Sequence, residues 1–271
     1  MMDIKDFLLE ADNFISRIPE LTTIPVFEKD GKLNISCKTN DNQIFLSMTT
    51  KSDVDYKYGE FSFRDWTVIS SALHTLSKYD DFNIKLSTIK DKIKKLGDNR
   101  QLTNEEIEQD FPIKITFKTK EIELKHFLQK YSAIQKSEQI HKQYLDRKFI
   151  IKTPNEMYKI NNVNLEKANE MFKVSGILSK KDFSIQKIDN KLYYCLGDVN
   201  SKSCDNASIM ITENCNNTIA VNYFNISYFV SMLKALNYKA DMYIQNQRLY
   251  LIGETENSIV NIVLNGKMNE S

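Results

Sequence analysis

Few residues of this chain have the types and spacing that catalysis requires. The three histidines, His74, His126 and His141, are far apart, and no acidic residue stands four positions from His74. The seven glycines form neither a GxGxxG nor a GxxxxGK loop, so no backbone cradle for a phosphate is expected. Nothing assembles a nucleophile, a base and an orienting group. We therefore predict that the protein is not an enzyme and uses no cofactor.

The cysteines and the acidic residues do not predict a metal site either. The four cysteines contain no CxxC pair, which indicates free thiols in a reducing compartment; they are Cys37, Cys195, Cys204 and Cys215. The run EEIEQD at residues 105–110 is the best acidic candidate, but consecutive acidic residues in a polar segment usually form a solvated surface. We predict no metal and a cytoplasmic location, which is the host cytoplasm if the protein is viral.

The composition is that of a folded protein, and the length allows two ordinary domains or one large one. The chain has 271 residues, of which 41% are apolar and 11% aromatic, enough for substantial cores. The 37 basic and 36 acidic residues give a net charge of +1, which excludes a simple polycation but allows separate basic and acidic surfaces. No charged-then-apolar leader opens the sequence, and no apolar run approaches the ~20 residues that span a bilayer.

Four segments show the 3.6-residue apolar period of helices: residues 4–18, 66–78, 164–176 and 226–237. Each is followed by short alternating segments typical of strands, so the order strand, helix, three strands recurs along the chain. The fold class predicted is α+β, with two similar domains that each pack two helices on antiparallel sheets. For two of the helices the predicted buried faces are Trp66, Ile69, Leu73 and Leu76, and Leu165, Ala168 and Phe172.

The second and fourth helical segments align without a gap at an offset of 160 positions. The identical pairs are Ser71 with Ser231, Leu73 with Leu233, Leu76 with Leu236, Asp81 with Asp241, and Ile84 with Ile244. Two ordinary helix–strand pairs would share some of these identities. The agreement of element order over both halves of the chain favours a repeated architecture instead.

The predicted solvent faces of the four helices are small and polar, with scattered cations. Such faces can hold phosphates loosely without reading bases. The cationic candidates for contact with DNA are Lys5, His74, Lys78, Lys167, Lys173 and Lys234. For any one helix the alternative is an ordinary solvated face, so the hypothesis depends on all four helices lining one channel.

Two stretches, residues 182–198 (DFSIQKIDNKLYYCLGD) and 222–245 (NYFNISYFVSMLKALNYKADMYIQ), carry a family resemblance. Together with the element order and length, they resemble the DNA polymerase sliding clamps, above all the two-domain clamps of tailed bacteriophages and, more distantly, PCNA-type clamps. The resemblance implies a homotrimeric ring around duplex DNA that a clamp loader assembles and a DNA polymerase binds. It implies helices that face the central hole, sheets outside, and no chemistry.

The resemblance implies clamp domains at residues 1–124 and 150–271, joined by a connector at 125–149. Within the first domain, residues 90–111 form a charged excursion that is longer than a clamp turn needs. The connector looks more basic and helical than an extended linker. Both departures bear on the outer surface, where partner peptides of this family dock.

Two other readings remain. A ring-forming viral structural or assembly protein also uses repeated β-rich domains and closed oligomers. A monomeric processivity subunit would share the fold but hold DNA on an open basic face, for which a net charge of +1 is unfavourable.

Overall fold

A computed structural model describes residues 3–21, 23–54, 60–88, 91, 112–130, 158–160, 165–198, 204–213, 215, 219–237, 240–245 and 247–267. Most of the excursion at 90–111, residues 131–149 of the predicted connector, and His141 lie outside these described residues. The described residues form four helices and sixteen strands.

The first half of the chain contains two helices and eight strands. The helices are α1 (Ile4–Ile15) and α2 (Trp66–Leu76), and the strands are β1 (Ile24–Lys29), β2 (Lys32–Lys38), β3 (Ile44–Thr50), β4 (Phe61–Phe63), β5 (Asn83–Thr88), β6 (Pro112–Lys118), β7 (Glu123–Phe127) and β8 (Gln129–Lys130). Their sheet orders are β8-β4-β1-β2-β3 and β5-β6-β7, and the paired registers of these strands are antiparallel.

The second half repeats this arrangement after an additional opening strand. The helices are α3 (Leu165–Ile177) and α4 (Ile226–Ala235), and the strands are β9 (Tyr158–Ile160), β10 (Asp182–Ile188), β11 (Lys191–Leu196), β12 (Ala207–Thr212), β13 (Tyr223–Asn225), β14 (Ala240–Gln245), β15 (Arg248–Glu254) and β16 (Ser258–Asn265). The sheet orders are β12-β11-β10-β13 and β16-β15-β14-β9.

Local sequence explains where these elements begin and turn. The N-cap carboxylate of Asp65 accepts from the Thr67 N–H at 2.9 Å, and the Asn225 side chain accepts from the Tyr228 N–H at 3.0 Å. Asp189 and Asn190 form the tight turn between β10 and β11, with φ of 47° and 62°. Both residues adopt the left-handed conformation that a two-residue hairpin needs, and Asn and Asp tolerate it best after glycine.

The chain divides into two compact units. Unit 1 comprises residues 1–37, 47–148 and 256–259, and unit 2 comprises residues 38–46, 149–255 and 260–271. In unit 1 the Lys51 N–H donates to the Asn257 carbonyl at 2.7 Å, and in unit 2 the Asn265 N–H donates to the Gln43 carbonyl at 2.9 Å. Each unit therefore includes a short piece from the other half of the sequence.

Each unit has an aromatic centre to its core. In unit 1 the Phe63 ring lies edge-on to Phe61 at 5.3 Å and to Trp66 at 5.1 Å between centroids. In unit 2, Phe183 contacts Tyr194 at 5.6 Å and Phe229 at 4.9 Å. These side chains are almost completely buried, so they hold one helix of each unit against its sheet.

The predicted helices are present, but all four end at other residues than predicted, α3 by one residue only. The first ends at Ile15 rather than at residue 18, because the Ser16 hydroxyl bonds to the Asp12 carbonyl and Pro19 disfavours helix just before it. The fourth ends at Ala235, and Asn237 takes a left-handed φ of 47°. The second ends at Leu76 with a cap at Ser77, which places residue 78 outside the helix.

Two further expectations were wrong. Phe172 is 43% exposed, because the buried face of α3 runs through Met171 beside the correctly predicted Ala168. Residues 125–130 of the predicted connector include the end of β7 and all of β8, while the domain bounds stay a prediction. The 160-residue offset holds for α2 and α4 but fails beyond them: Ile84 is the second residue of β5 and Ile244 the fifth of β14, because the turn after α2 is longer.

Candidate nucleic-acid interface

In unit 1, a buried carboxylate joins the two helices. Asp12 on α1 is 4% exposed; its carboxylate accepts from the Trp66 indole N–H at 2.8 Å and lies 3.0 Å from His74 Nε2. The His74 side chain is itself 71% exposed. One of its ring nitrogens is therefore committed to packing α2 against α1, and only the rest of the ring is available to a ligand.

The other two cationic candidates of unit 1 differ in how freely they can move. Lys5 is half-buried; its ammonium lies 3.5 Å from the Phe82 carbonyl and 6.0 Å from the centre of the Phe82 ring. Lys78 is exposed in the turn after α2. The stem of Lys5 thus packs beside β5, whereas Lys78 reaches into solvent.

In unit 2 the three predicted lysines lie on two helices. Lys167 is half-buried, and its ammonium lies 3.3 Å from the Ile211 carbonyl of β12. Lys173 is exposed on α3, and Lys234 is exposed on α4 with its ammonium 5.7 Å from the centre of the Phe172 ring. Phe172, which was predicted to be buried, therefore has an exposed ring that makes a cation–π contact with Lys234.

The structure groups the six candidates into two sets, one on each helix pair. Helix α1 lies beside α2, and α3 lies beside α4. Between these cations some exposed positions are small and polar, for example Ser71, Thr75 and Ser227, but Val68 on α2 and Phe172 on α3 are exposed apolar residues. None of the six is an arginine, the residue that most often reads guanine, so the faces suit sequence-independent contact with phosphates. Contact of these residues with DNA stays a prediction.

Asp12 lies between the two helices of unit 1, and the sequence analysis did not single it out. Its signal was present: it stands four residues after the buried Leu8, inside the apolar stripe of α1. A carboxylate at such a position needs a partner, because an isolated buried charge is costly. The partners come from α2, some fifty residues later. The sequence therefore indicates that Asp12 needs a partner but does not identify which residue supplies it.

The described residues include no metal-binding cluster, and two of the buried thiols are unreactive. Among them, no group of three His, Cys, Asp or Glu side chains could hold a metal ion. Burial raises the pKa of Cys195 to about 12 and that of Cys37 still further, so both stay protonated and are poor nucleophiles. Burial also lowers the pKa of His126, although Asp65 opposes this. In this described part of the chain, no helix is long and apolar enough to cross a membrane.

Comparison with known proteins identifies the architecture. No family model and no curated protein matches the sequence significantly. The structure matches PCNA from Thermococcus kodakaraensis with a TM-score of 0.60 over 98% of both chains at 10% identity. It matches A. fulgidus PCNA, solved with the C-terminal region of FEN-1, with a TM-score of 0.59 over 98% and 97% of the chains at 13% identity. The chain has the sliding-clamp fold.

The structure also matches a subunit of a bacterial DNA polymerase. DNA polymerase III subunit beta from Borrelia burgdorferi gives a TM-score of 0.62 at 14% identity, over 97% of this chain and 62% of the bacterial one. The α+β class predicted from the sequence is confirmed, and so is the resemblance to PCNA-like clamps. Identities of this size establish the fold and leave the function to be argued from the residues.

Proposed function

We propose that the protein is a sliding clamp that encircles duplex DNA as a homotrimer and tethers the replicative DNA polymerase of a bacteriophage. Two clamp domains per chain give six in the ring. We place these domains at 1–124 and 150–271, with the first extended to residue 130 to include β7 and β8. The ring performs no reaction.

The observation that carries this proposal is the full-length likeness to PCNA, supported by the six candidate cations that lie on or beside the four helices. Three chains with two domains each complete the six domains that the resemblance implies. A head-to-tail contact that closes on itself makes a ring and covers the sheet edges of each protomer.

Because a ring that encircles DNA cannot fall off sideways, the predicted contacts with DNA can be weak. At physiological salt the screening length is ~8 Å, so exposed lysines attract the phosphates without fixing the ring at one position. A polymerase bound to the ring then rebinds its template as an intramolecular event at high effective concentration. A clamp loader is required to open the ring on circular DNA.

The first test is the solution mass, measured by light scattering over a micromolar dilution series. A species of three times 31.6 kDa that dissociates on dilution supports the trimer. A monomer at every concentration contradicts the ring and favours the open-face processivity subunit.

The second test measures whether the protein encircles DNA, and it needs no clamp loader because linear DNA has open ends. The protein is incubated with linear duplex DNA that carries biotin at both ends, streptavidin is added to block the ends, and salt is raised to about 0.5 M, the range in which phosphate contacts alone fail. A sliding ring stays on the DNA and is released when a restriction enzyme cuts between the blocks. A ring-forming structural protein is lost at high salt before cutting.

A further inference from the structure

The carboxylate of Asp12 presents a different oxygen atom to each of its two partners on α2. Its Oδ1 accepts the hydrogen bond from the Trp66 indole N–H at 2.8 Å, and its Oδ2 lies 3.0 Å from His74 Nε2. Asp12 is buried, whereas the His74 side chain is largely exposed. A buried carboxylate thus holds one edge of an imidazole ring that otherwise faces solvent.

The chemistry of this pair determines where the ring carries its protons. An ionised carboxylate can only accept hydrogen bonds, so the nitrogen that faces it carries a proton. In a neutral imidazole one nitrogen is a donor and the other has a lone pair. A neutral His74 paired with Asp12 therefore has its proton on Nε2 and a lone pair on Nδ1. Its Nδ1 becomes a donor only when the ring takes up a second proton.

A DNA phosphate distinguishes these two forms of the ring. Phosphate oxygens are negatively charged acceptors, so they bind the Nδ1–H of a charged imidazole and are repelled by the lone pair of a neutral one. Histidine changes its charge between about pH 5 and pH 8, whereas lysine stays charged throughout this range. Among the six cationic candidates, His74 is thus the one whose contact with phosphate can depend on pH.

Two other charged residues flank Asp12 in the sequence, and both have partners elsewhere. Glu10 accepts hydrogen bonds from residues 257–258. The Arg17 Nε–H donates to the Asn13 carbonyl at 2.7 Å. Among the described residues of α1, the charged group that contacts the histidine is therefore the Asp12 carboxylate.

The strands beside α2 do not add a charged partner for His74 among their described contacts. Strand β6 packs on α2, and its Ile115 and Phe117 are completely buried and uncharged. Strand β7 carries a second histidine, His126, but this residue interacts with Asp65 at the opposite end of α2. Protonation of His74 therefore depends mainly on Asp12 and on whatever binds the exposed edge of the ring.

We infer that Asp12 is a positioning residue that keeps the Nε2 proton of His74 on the buried side, so that Nδ1 binds a DNA phosphate only when the ring is doubly protonated. This inference rests on the proposed function and gives it a pH dependence. The phosphate contact of α2 strengthens as pH falls, whereas the contacts of the lysines stay the same.

The lifetime of the protein on the biotin-blocked DNA, with one end left open, tests this pH dependence. For the original protein we expect a lifetime about twofold to fivefold longer at about pH 6 than at about pH 8, as for one exposed ion pair. His74→Gln keeps a donor for Asp12 but takes up no proton, so this difference should disappear. Lys78→Gln, four residues further on, is the matched control and should shorten the lifetime by the same factor at both pH values. A difference that survives in His74→Gln overturns the inference.

Asp12→Asn distinguishes positioning from simple structural support. An indole N–H can only donate, so the amide oxygen of the introduced asparagine must face Trp66 and its NH₂ group must face His74. That NH₂ group donates to Nε2, which moves the imidazole proton to Nδ1, as a carboxylate-to-amide change does in a catalytic triad. The neutral ring then donates to phosphate, and the lifetime at about pH 8 should exceed that of the original protein by up to about twofold. A merely structural role of Asp12 predicts no such gain.

Nitrogen-15 NMR of the imidazole rings locates these protons without DNA. At about pH 8 the His74 signal, identified by its loss in His74→Gln, should show the proton on Nε2 in the original protein and on Nδ1 in Asp12→Asn. A proton on Nδ1 in the original protein would overturn the inference and leave the proposed function intact. If Asp12→Asn does not fold, the original protein and His74→Gln still decide the question.

A short DNA duplex separates failure of this inference from failure of the ring. Even if light scattering shows a monomer at every concentration, the duplex should shift the His74 signal at about pH 6 and not at about pH 8. The inference then stands without the ring. If the protein is a trimer that stays on blocked DNA equally long at both pH values, the inference fails and the ring stands. A monomer whose His74 signal shifts at neither pH contradicts both.

Discussion

The two helix pairs have the same place in the element order and are held together by different chemistry. In unit 1, Asp12 is buried between α1 and α2 and bonds to Trp66 and His74. In unit 2, Lys234 lies over the half-exposed ring of Phe172, and the described contacts of α3 with its core run through Ala168 and Met171. A repeated architecture thus fixes where helices lie without fixing how neighbouring helices recognise each other.

This difference also affects the cationic faces. In unit 1, Lys5 and His74 have specific intramolecular contacts, which limit what they can offer to DNA. In unit 2, Lys167 likewise contacts the Ile211 carbonyl, while Lys173 and Lys234 are exposed, as Lys78 is in unit 1. We therefore expect unit 1 to depend more on polar contacts for stability, and the exposed lysines of both units to contribute most to phosphate attraction.

The largest effect is expected from Asp12→Ala. Removal of the carboxylate leaves the buried Trp66 N–H without its acceptor, and the free energy of unfolding should fall by about 2–4 kcal/mol. Urea denaturation followed by tryptophan fluorescence measures this, since Trp66 is the one tryptophan of the chain. Phe172→Ala, at the corresponding helix contact of unit 2, should cost less than about 1 kcal/mol because its ring is 43% exposed. Equal losses would contradict the comparison.

The second effect concerns another carboxylate of α1. Glu10 accepts from the Asn257 N–H at 3.1 Å, the Asn257 side-chain amide at 3.2 Å and the Ser258 hydroxyl at 2.7 Å, all within unit 1. Glu10→Ala should lower the free energy of unfolding by about 1–3 kcal/mol, because three partly buried donors lose their acceptor. Glu166→Ala on α3, an exposed glutamate, is the control. A loss at Glu166 as large as that at Glu10 would refute the assignment.

The third effect tests the cationic faces directly. In the end-blocked DNA experiment, with one end left open, Lys173→Glu together with Lys234→Glu should shorten the lifetime of the protein on DNA about threefold to tenfold at low salt. The salt dependence should also weaken, by roughly one unit of slope for each phosphate that the protein no longer neutralises. Lys5→Glu should do less. Lys181→Glu, at an exposed position before β10, is the charge-matched control. Equal effects of all variants would indicate only a general change of net charge.

Periodicity predicted what depends on neighbours along the chain. The apolar face of α2, from Trp66 to Leu76, is buried as expected. The conformation of the hairpin at Asp189 and Asn190 depends mainly on those two residues, so it too is encoded locally. Strand β2 lacks such a local signal, since its polar residues Asn34 and Ser36 are buried together with its apolar ones.

The features that escaped prediction depend on partners far away in the sequence. The contact of Asp12 with Trp66 spans 54 positions, and no local pattern encodes it. The buried face of α3 was misplaced by one residue, because Met171 and Phe172 are both apolar and only the surrounding elements select between them. The exposure of Lys78, Lys173 and Lys234 was predictable, whereas the partial burial of Lys5 and Lys167 against Phe82 and Ile211 was not.

The smallest effect should come from Tyr194 in the core of unit 2. Its hydroxyl is buried without a hydrogen-bond partner among the described residues, in contrast to the satisfied indole of Trp66 in unit 1. Tyr194→Phe should therefore be neutral or raise the free energy of unfolding by up to about 1 kcal/mol, because an unsatisfied buried hydroxyl is costly. Tyr250→Phe, at a tyrosine that is 8% exposed, is the matched control for loss of a hydroxyl.

The contribution of Tyr194 to the free energy of unfolding should depend on pH. Burial raises the pKa of Tyr194 above its ordinary value of 10.0, so the folded protein keeps the hydroxyl neutral while the unfolded chain ionises. The contribution to stability is complete below pH 10 and is lost as pH rises further, since the unfolded state then binds fewer protons. The advantage of Tyr194→Phe should grow above about pH 10 in urea denaturation. A stability difference between the two proteins that stays constant from about pH 8 to about pH 11 would mean that the Tyr194 hydroxyl is solvated. The core of unit 2 would then contain water, whereas the core of unit 1 contains a carboxylate.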